Sequence, residues 1–164
     1  MTSQSPDDEV DLLIDAWSRR LPEADLTPLD VMSRLRRASI RLARLRSEAF
    51  ATAELASWEF DVLAALRRAE PPHELSPAQL IERTMIGSAA MSHRLVNLAN
   101  RGLVEREPNP HDGRSVIIRL TDAGAAKVDM AMTELVRLER QALSVLSQDD
   151  RAHLARTLRA LIQD

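Results

Sequence analysis

The chain contains no cysteine and no tyrosine, and only 2% of its 164 residues are aromatic. Without cysteine there are no disulfides, no thiolate metal ligands and no thiol to sense oxidation. With so few rings, Leu, Ala, Val, Ile and Met must fill the core, and a hydrophobic fraction of 45% supplies enough of them. Glycine is also scarce, and the four present form no phosphate-cradling loop. His73, His93, His111 and His153 are scattered without metal-ligand spacing, and there is no serine elbow. No catalytic, metal or cofactor site is expected. No apolar run approaches the roughly 20 residues that span a bilayer. The polar, acidic start, Met1 to Asp11, does not resemble a signal peptide. A cytoplasmic protein with no membrane association is therefore expected.

The formal net charge of −3 hides a segregated distribution. Residues 1–33 carry eight acids against two arginines, whereas residues 34–50 carry six arginines (Arg34, Arg36, Arg37, Arg41, Arg44, Arg46) against Glu48. Residues 76–121 carry six arginines against four acids. Mild overall acidity can coexist with a basic face that attracts polyanions, although arginine-rich helices can also be merely solvated.

Apolar periodicity divides the chain. Residues 1–8 read as a disordered tail. Val10, Leu13, Ile14, Trp17 and Leu21 follow a helical repeat that ends near Pro22. A second helix starts near Thr27-Pro28 and runs to about Phe50, with Leu35, Leu42, Leu45 and Ala49 on one side. A third covers about Ser57 to Arg68, with Ser57 as N-cap, before Pro71-Pro72. Ser76-Pro77 opens a short helix to about Thr84. After a turn at Gly87, another helix spans Ser88 to Asn100 and closes on Arg101-Gly102. Two short helices joined by a tight turn make a helix-turn-helix. Leu103–Glu107 and Val116–Leu120 then read as strands, joined by turn chemistry over Pro108–Gly113, and a hairpin in this place is a wing. Thr121 caps a long helix to about Leu146, and Ser147 with Asp150 starts a last one ending near Ile162.

The expected fold is therefore mainly α with a small β wing. Residues 9–50 form N-terminal helices, 51–121 a winged helix-turn-helix, and 122–164 C-terminal helices.

On a wheel of about 100° per residue, Met91, Leu95 and Leu98 of the second motif helix face the core. Ala89, His93, Val96 and Asn100 fall opposite, flanked by Ser92 and Asn97, with Ser88 at the helix start. A small, polar face of this kind suits a DNA major groove, where Ser, Asn and His address base edges and phosphates. Arg114, beside Gly113 at the hairpin tip, is placed to reach a minor groove or its phosphates, with Asp112 bracing it or the turn. Arg94 lies about 60° from the centre of the apolar stripe, where an arginine needs an anion. Asp61, inside the apolar run Phe60–Leu66, is a candidate buried acid. An Asp61–Arg94 salt bridge is the simpler expectation, and a ligand-responsive pair the alternative. Trp17, squarely on its apolar stripe, reads as core.

The segment Asp112-Gly113-Arg114-Ser115-Val116-Ile117-Ile118-Arg119-Leu120-Thr121-Asp122-Ala123-Gly124 resembles the wing of the MarR family of regulators, and Leu95 through Val104 resembles that family's recognition-helix exit. The resemblance implies a homodimer, held by N- and C-terminal helices, that reads double-stranded DNA at a palindromic operator. Half-sites would lie about one helical turn, or a multiple, apart. Trp17, Asp61, Arg94 and Arg106 further resemble the ligand set of the urate-responsive subgroup. That likeness implies that Trp17 and Arg106 hold a small anionic effector, a purine, that Asp61 is repelled by it, and that Arg94 passes the displacement to the DNA-reading helix. The alternatives are a repressor sensing a phenolic or other aromatic acid and a winged-helix module that binds protein.

Overall fold

The computed structural model describes residues 7–84, 86–109 and 112–163, without the side chains of 112–114. Most of the expected tail at 1–8, together with Met85, Pro110 and His111, lies outside the described residues. The chain divides into two compact units, residues 1–44 and 45–164.

The N-terminal unit holds α1 (Glu9–Ser18) and the greater part of α2 (Thr27–Ala51). Asp8 belongs to structure rather than to a tail, because it is the N-cap of α1. Its carboxylate accepts from the Val10 and Asp11 amides at 2.7 and 3.2 Å, while Asp11 accepts from the Asp8 amide at 2.7 Å, closing a capping box. The segregated charges meet here. Arg34 donates to Asp8 at 2.9 Å and to Asp11 at 2.8 Å, and also pairs with Asp30, while Arg37 pairs with Glu9. Part of the arginine run thus neutralises the chain's own acids instead of forming a free basic face. Trp17 does not take up its expected core position. It is 49% exposed, because the stripe that buries Val10 and half-buries Leu13 and Ile14 emerges at the last turn of this short helix.

The C-terminal unit begins at the end of α2 and continues with α3 (Ser57–Arg67), β1 (Glu74–Leu75), α4 (Pro77–Thr84), α5 (Ser88–Asn100), β2 (Val104–Asn109), β3 (Asp112–Leu120), α6 (Asp122–Ala142) and α7 (Gln148–Ile162). Helix α3 is apolar nearly all round and forms the centre of the core, against α4 and α6. Its N-cap is Ala56, not Ser57: Ala56 is extended, and the Glu59 carboxylate reaches back to its amide at 2.9 Å. The core is completed by Ala49, Phe50, Leu80, Met91, Leu95, Leu98, Ile118, Val128 and Leu135. Phe50 and Phe60, the only two phenylalanines, stack with ring centroids 3.9 Å apart.

The sheet has three antiparallel strands in the order β1-β3-β2. The hairpin is longer than the turn chemistry suggested, with Val104 opposite Leu120 and a register irregularity at Pro108/Asn109. The third strand, β1, places Leu75 opposite Ile118; at two residues it is too short to leave an alternating pattern. Helix α6 ends at Ala142, four residues before the expected Leu146, and passes into a 3₁₀ turn over Leu143–Val145. Leu146 is extended, which lets Ser147 cap α7, and the apolar Leu143, Val145 and Leu146 carry no breaker residue to mark that break. No helix among the described residues is long and apolar enough to cross a membrane.

Candidate nucleic-acid interface

The helix-turn-helix is built from strong local signals. Ser76 and Gln79 form a reciprocal cap at the start of α4, with the Ser76 amide donating to Gln79 at 2.8 Å and the Gln79 amide to Ser76 at 3.3 Å. At the other end, α5 closes in a Schellman turn. Gly102 (φ +67°) provides the left-handed residue, the Leu103 amide donates to the Leu98 carbonyl at 3.0 Å, and the Gly102 amide donates to Ala99 at 2.9 Å. Leu98 and Leu103 are both buried, the apolar contact that accompanies this turn.

Between these ends the wheel holds. Met91, Leu95 and Leu98 are buried, whereas Ser88, Ala89, Ser92, His93, Val96 and Asn100 are exposed and Asn97 is half-buried. Helix α5 carries no carboxylate, so nothing on it would repel phosphate. Asn97 Nδ2 lies 3.4 Å from His93 Nδ1, which joins the two side chains along one exposed ridge.

In the wing, Arg106 of β2 is exposed and has no ion pair among the described residues. Arg114 lies in β3, with its side chain outside what is described. Arg119 is engaged internally, donating to Glu74 at 3.0 Å and to Glu107 at 2.8 Å. The hydrogen bonds to Glu74 raise the Arg119 guanidinium further above its ordinary range.

The expected Asp61–Arg94 salt bridge does not form. Asp61 is not buried: its side chain is 46% exposed and pairs with Arg46 at 3.2 Å. Arg46 in turn lies over the Phe50 and Phe60 rings, 5.0 and 5.8 Å from their centroids. Arg94 lies over Trp58, 5.2 Å from the ring centroid. An aromatic face, not a carboxylate, meets its need for a partner. Asp61 and Arg106 remain in the C-terminal unit with Arg94, and Trp17 belongs to the N-terminal unit.

Two side chains and one backbone carbonyl that the sequence reading does not single out meet the arginines of α5 and its C-cap. Trp58 receives Arg94. Glu59, the only buried charged residue among those described, accepts from Arg101 at 2.6 Å. Glu54 gives its backbone carbonyl to Arg101 at 2.8 Å. A Glu in the first turn of a helix is ordinarily explained by the cap, which is why Glu59 gives no separate signal.

Comparison with known proteins follows this geometry. Residues 54–115 match the MarR family. The chain is 36% identical over 146 residues to the HTH-type transcriptional regulator PecS of Dickeya dadantii, covering 89% of this chain and 88% of that one. Among solved structures it resembles a mutant of MarR from E. coli complexed with operator DNA, at 26% identity and a TM-score of 0.70, covering 85% of this chain and all of that one. It also resembles BpsR of Bordetella bronchiseptica, solved to show regulation of DNA binding by 6-hydroxynicotinic acid, at 25% identity and a TM-score of 0.68, covering 82% and 94% of the two chains. Fold, site geometry and relatives agree: the chain belongs to the MarR family of winged helix-turn-helix transcription regulators and is not an enzyme.

Proposed function

We propose that the protein is a repressor that binds a palindromic operator as a homodimer and releases it on binding a small anionic effector, urate or a related purine. The observation that carries the DNA reading is the exposed, carboxylate-free face of α5, followed by a hairpin wing. Ser88, Ala89, Ser92, His93, Val96, Asn97 and Asn100 enter the major groove, and Arg114 contacts the adjacent backbone or minor groove. The relative solved with operator DNA supports this.

The homodimer is supported by apolar surface left open in one chain. Helix α7 buries none of its side chains, and Leu143, Val145, Leu154, Leu161 and Ile162 are exposed, Val145 by 85% and Ile162 by 78%. Apolar surface gathered on these elements marks a protein contact.

The effector acts through Arg94 of α5, Arg106 of β2 and Asp61. By the resemblance, Arg106 holds the anion, Asp61, here paired with Arg46, is repelled by it, and Arg94 passes the displacement to α5. The effector shifts the DNA-binding equilibrium only by its differential affinity for the two states. Trp17 enters this reading by the resemblance alone, and loss of effector response in Trp17→Ala tests its part. A second reading, an aromatic-acid effector, is favoured by the BpsR structure with its 6-hydroxynicotinic acid. Titrating the protein–operator complex with urate and with 6-hydroxynicotinic acid separates them. Release by urate alone supports the purine reading, release by the acid alone replaces it, and release by neither removes both.

A further inference from the structure

Arg101 caps α5 and spans to two points on the segment before and within α3. Its Nη1 donates to the Glu59 carboxylate at 2.6 Å and its Nη2 to the Glu54 carbonyl at 2.8 Å. Both acceptors are held from behind. Glu59 is buried, with only 7% of its side chain exposed, and its second oxygen accepts from the Ala56 amide at 2.9 Å. Glu54 is fixed in the left-handed region at φ +56°, and its carboxylate accepts from Lys127 of α6 at 2.8 Å. Lys127 also donates to the Ala53 carbonyl at 2.9 Å. The exit of α5, the turn before α3 and the start of α6 therefore share one chain of charge-assisted hydrogen bonds. Such bonds are about twice as strong as neutral ones and fix geometry when bidentate.

The geometry points to Arg101 and Glu59 as positioning residues for DNA reading: they fix the seat of α5 on the protein body, and with it the fit of its exposed face in the groove. Neither residue needs to touch DNA for this. Arg101 spends two guanidinium nitrogens inward, and Glu59 is buried beneath it. The inference rests on the reading of α5 as the recognition helix, and it adds the means by which that helix is aimed. It also gives α6 a direct line to α5, through Lys127 and Glu54.

Three sets of full-length variants test it: Arg101→Met, Glu59→Gln, and the surface pair His93→Ala with Asn100→Ala. For each, affinity for the operator, affinity for random DNA of the same length, the salt slope of binding and the thermal midpoint are measured well below unfolding. Arg101→Met and Glu59→Gln are expected to lower the ratio of operator to random affinity on the order of tenfold, the scale of one charge-assisted hydrogen bond. The salt slope should stay unchanged. Glu59→Gln carries the decision, since Glu59 cannot meet phosphate. If it leaves the ratio at the wild-type value while Arg101→Met lowers both ratio and salt slope, Arg101 is a phosphate contact and the proposal is overturned. If both variants lower only the thermal midpoint, their role is structural and the proposal is again overturned. If His93→Ala with Asn100→Ala leaves operator affinity intact, the α5 reading itself fails and takes the proposal with it.

Discussion

Arg94 on the DNA-facing motif lies over the indole of Trp58, 5.2 Å from its centroid. Trp58 and Arg94 are both half-buried, between the exposed and desolvated limits, where a cation over an aromatic face contributes about 0.5–2 kcal/mol. Arg94→Ala should cost about that much by urea unfolding, and a double-mutant cycle with Trp58→Leu should show the two effects to be non-additive. The effector relay makes a separate demand: Arg94→Ala should still bind operator but no longer release it with ligand. Normal ligand-induced release would sink the relay and leave Arg94 as a brace.

Gly124 is required by close approach rather than by backbone freedom. A Cβ there would stand 2.1 Å from the Leu103 carbonyl oxygen and 2.8 Å from Leu120 Cδ1. The first of these is backbone and cannot rotate away. Gly124→Ala should destabilise by about 1–3 kcal/mol, the usual range for overpacking, despite the gain in helix propensity. Thermal unfolding of the variant reads this directly, and a rise in midpoint would show that the α6 start moves freely.

The stacked pair Phe50 and Phe60 is the only aromatic–aromatic contact among the described residues, and both rings are almost fully buried, 0% and 3% exposed. Phe60→Ala should cost about 3–5 kcal/mol, a large share of the roughly 5–15 kcal/mol that holds a typical domain folded. Phe60→Leu should cost less by denaturant titration. Equal losses would mean that ring stacking, and not volume, dominates the site.

Two exposed carboxylates tie stability to acid. Lys127, hydrogen-bonded to Glu54, holds that carboxyl below its ordinary value of 4.5. At Asp8, desolvation pushes the other way but is outweighed by the Val10 and Asp11 amides and by Arg34, so its carboxyl lies below 3.8. Because both folded-state values are depressed, their contributions are present above the ordinary values. They fade as pH falls below about 4.5 and on through the lowered values. Lys127→Met should remove most of the Glu54 part of that acid limb, and Arg34→Ala only the guanidinium's share of the Asp8 part, the Val10 and Asp11 amides keeping the rest, in thermal midpoints measured from about pH 7 to pH 3. An unchanged limb in both variants would place the acid sensitivity elsewhere.

Where a motif carries its own local chemistry, the structure follows the sequence closely. The helix start at Ser76-Pro77, the Gly102 turn, the Thr121 cap and the Met91–Leu95–Leu98 stripe each need only neighbours in the chain, and all are found as expected. Pairing across the fold was less legible. Asp61 and Arg94 looked complementary on charge alone, but each had a nearer partner of a kind that spacing does not reveal: Arg46 for Asp61, and a ring face for Arg94. Trp17 lies on a real apolar stripe, yet a ten-residue helix buries only part of it. Arg101 was legible as the end of a helix and not as its anchor, because the carbonyl of Glu54 and the buried Glu59 lie 47 and 42 residues away in the chain.

DNA binding by the purified protein to its own upstream intergenic DNA, followed across added salt, tests the central claim most directly. The account predicts a specific complex whose affinity falls steeply as salt rises, since phosphate contacts release counterions. It also predicts that His93→Ala with Asn100→Ala reduces that affinity to the level of random DNA. Equal affinity for operator-bearing and random sequences, or binding indifferent to salt, would contradict it and point to a winged-helix module that binds protein.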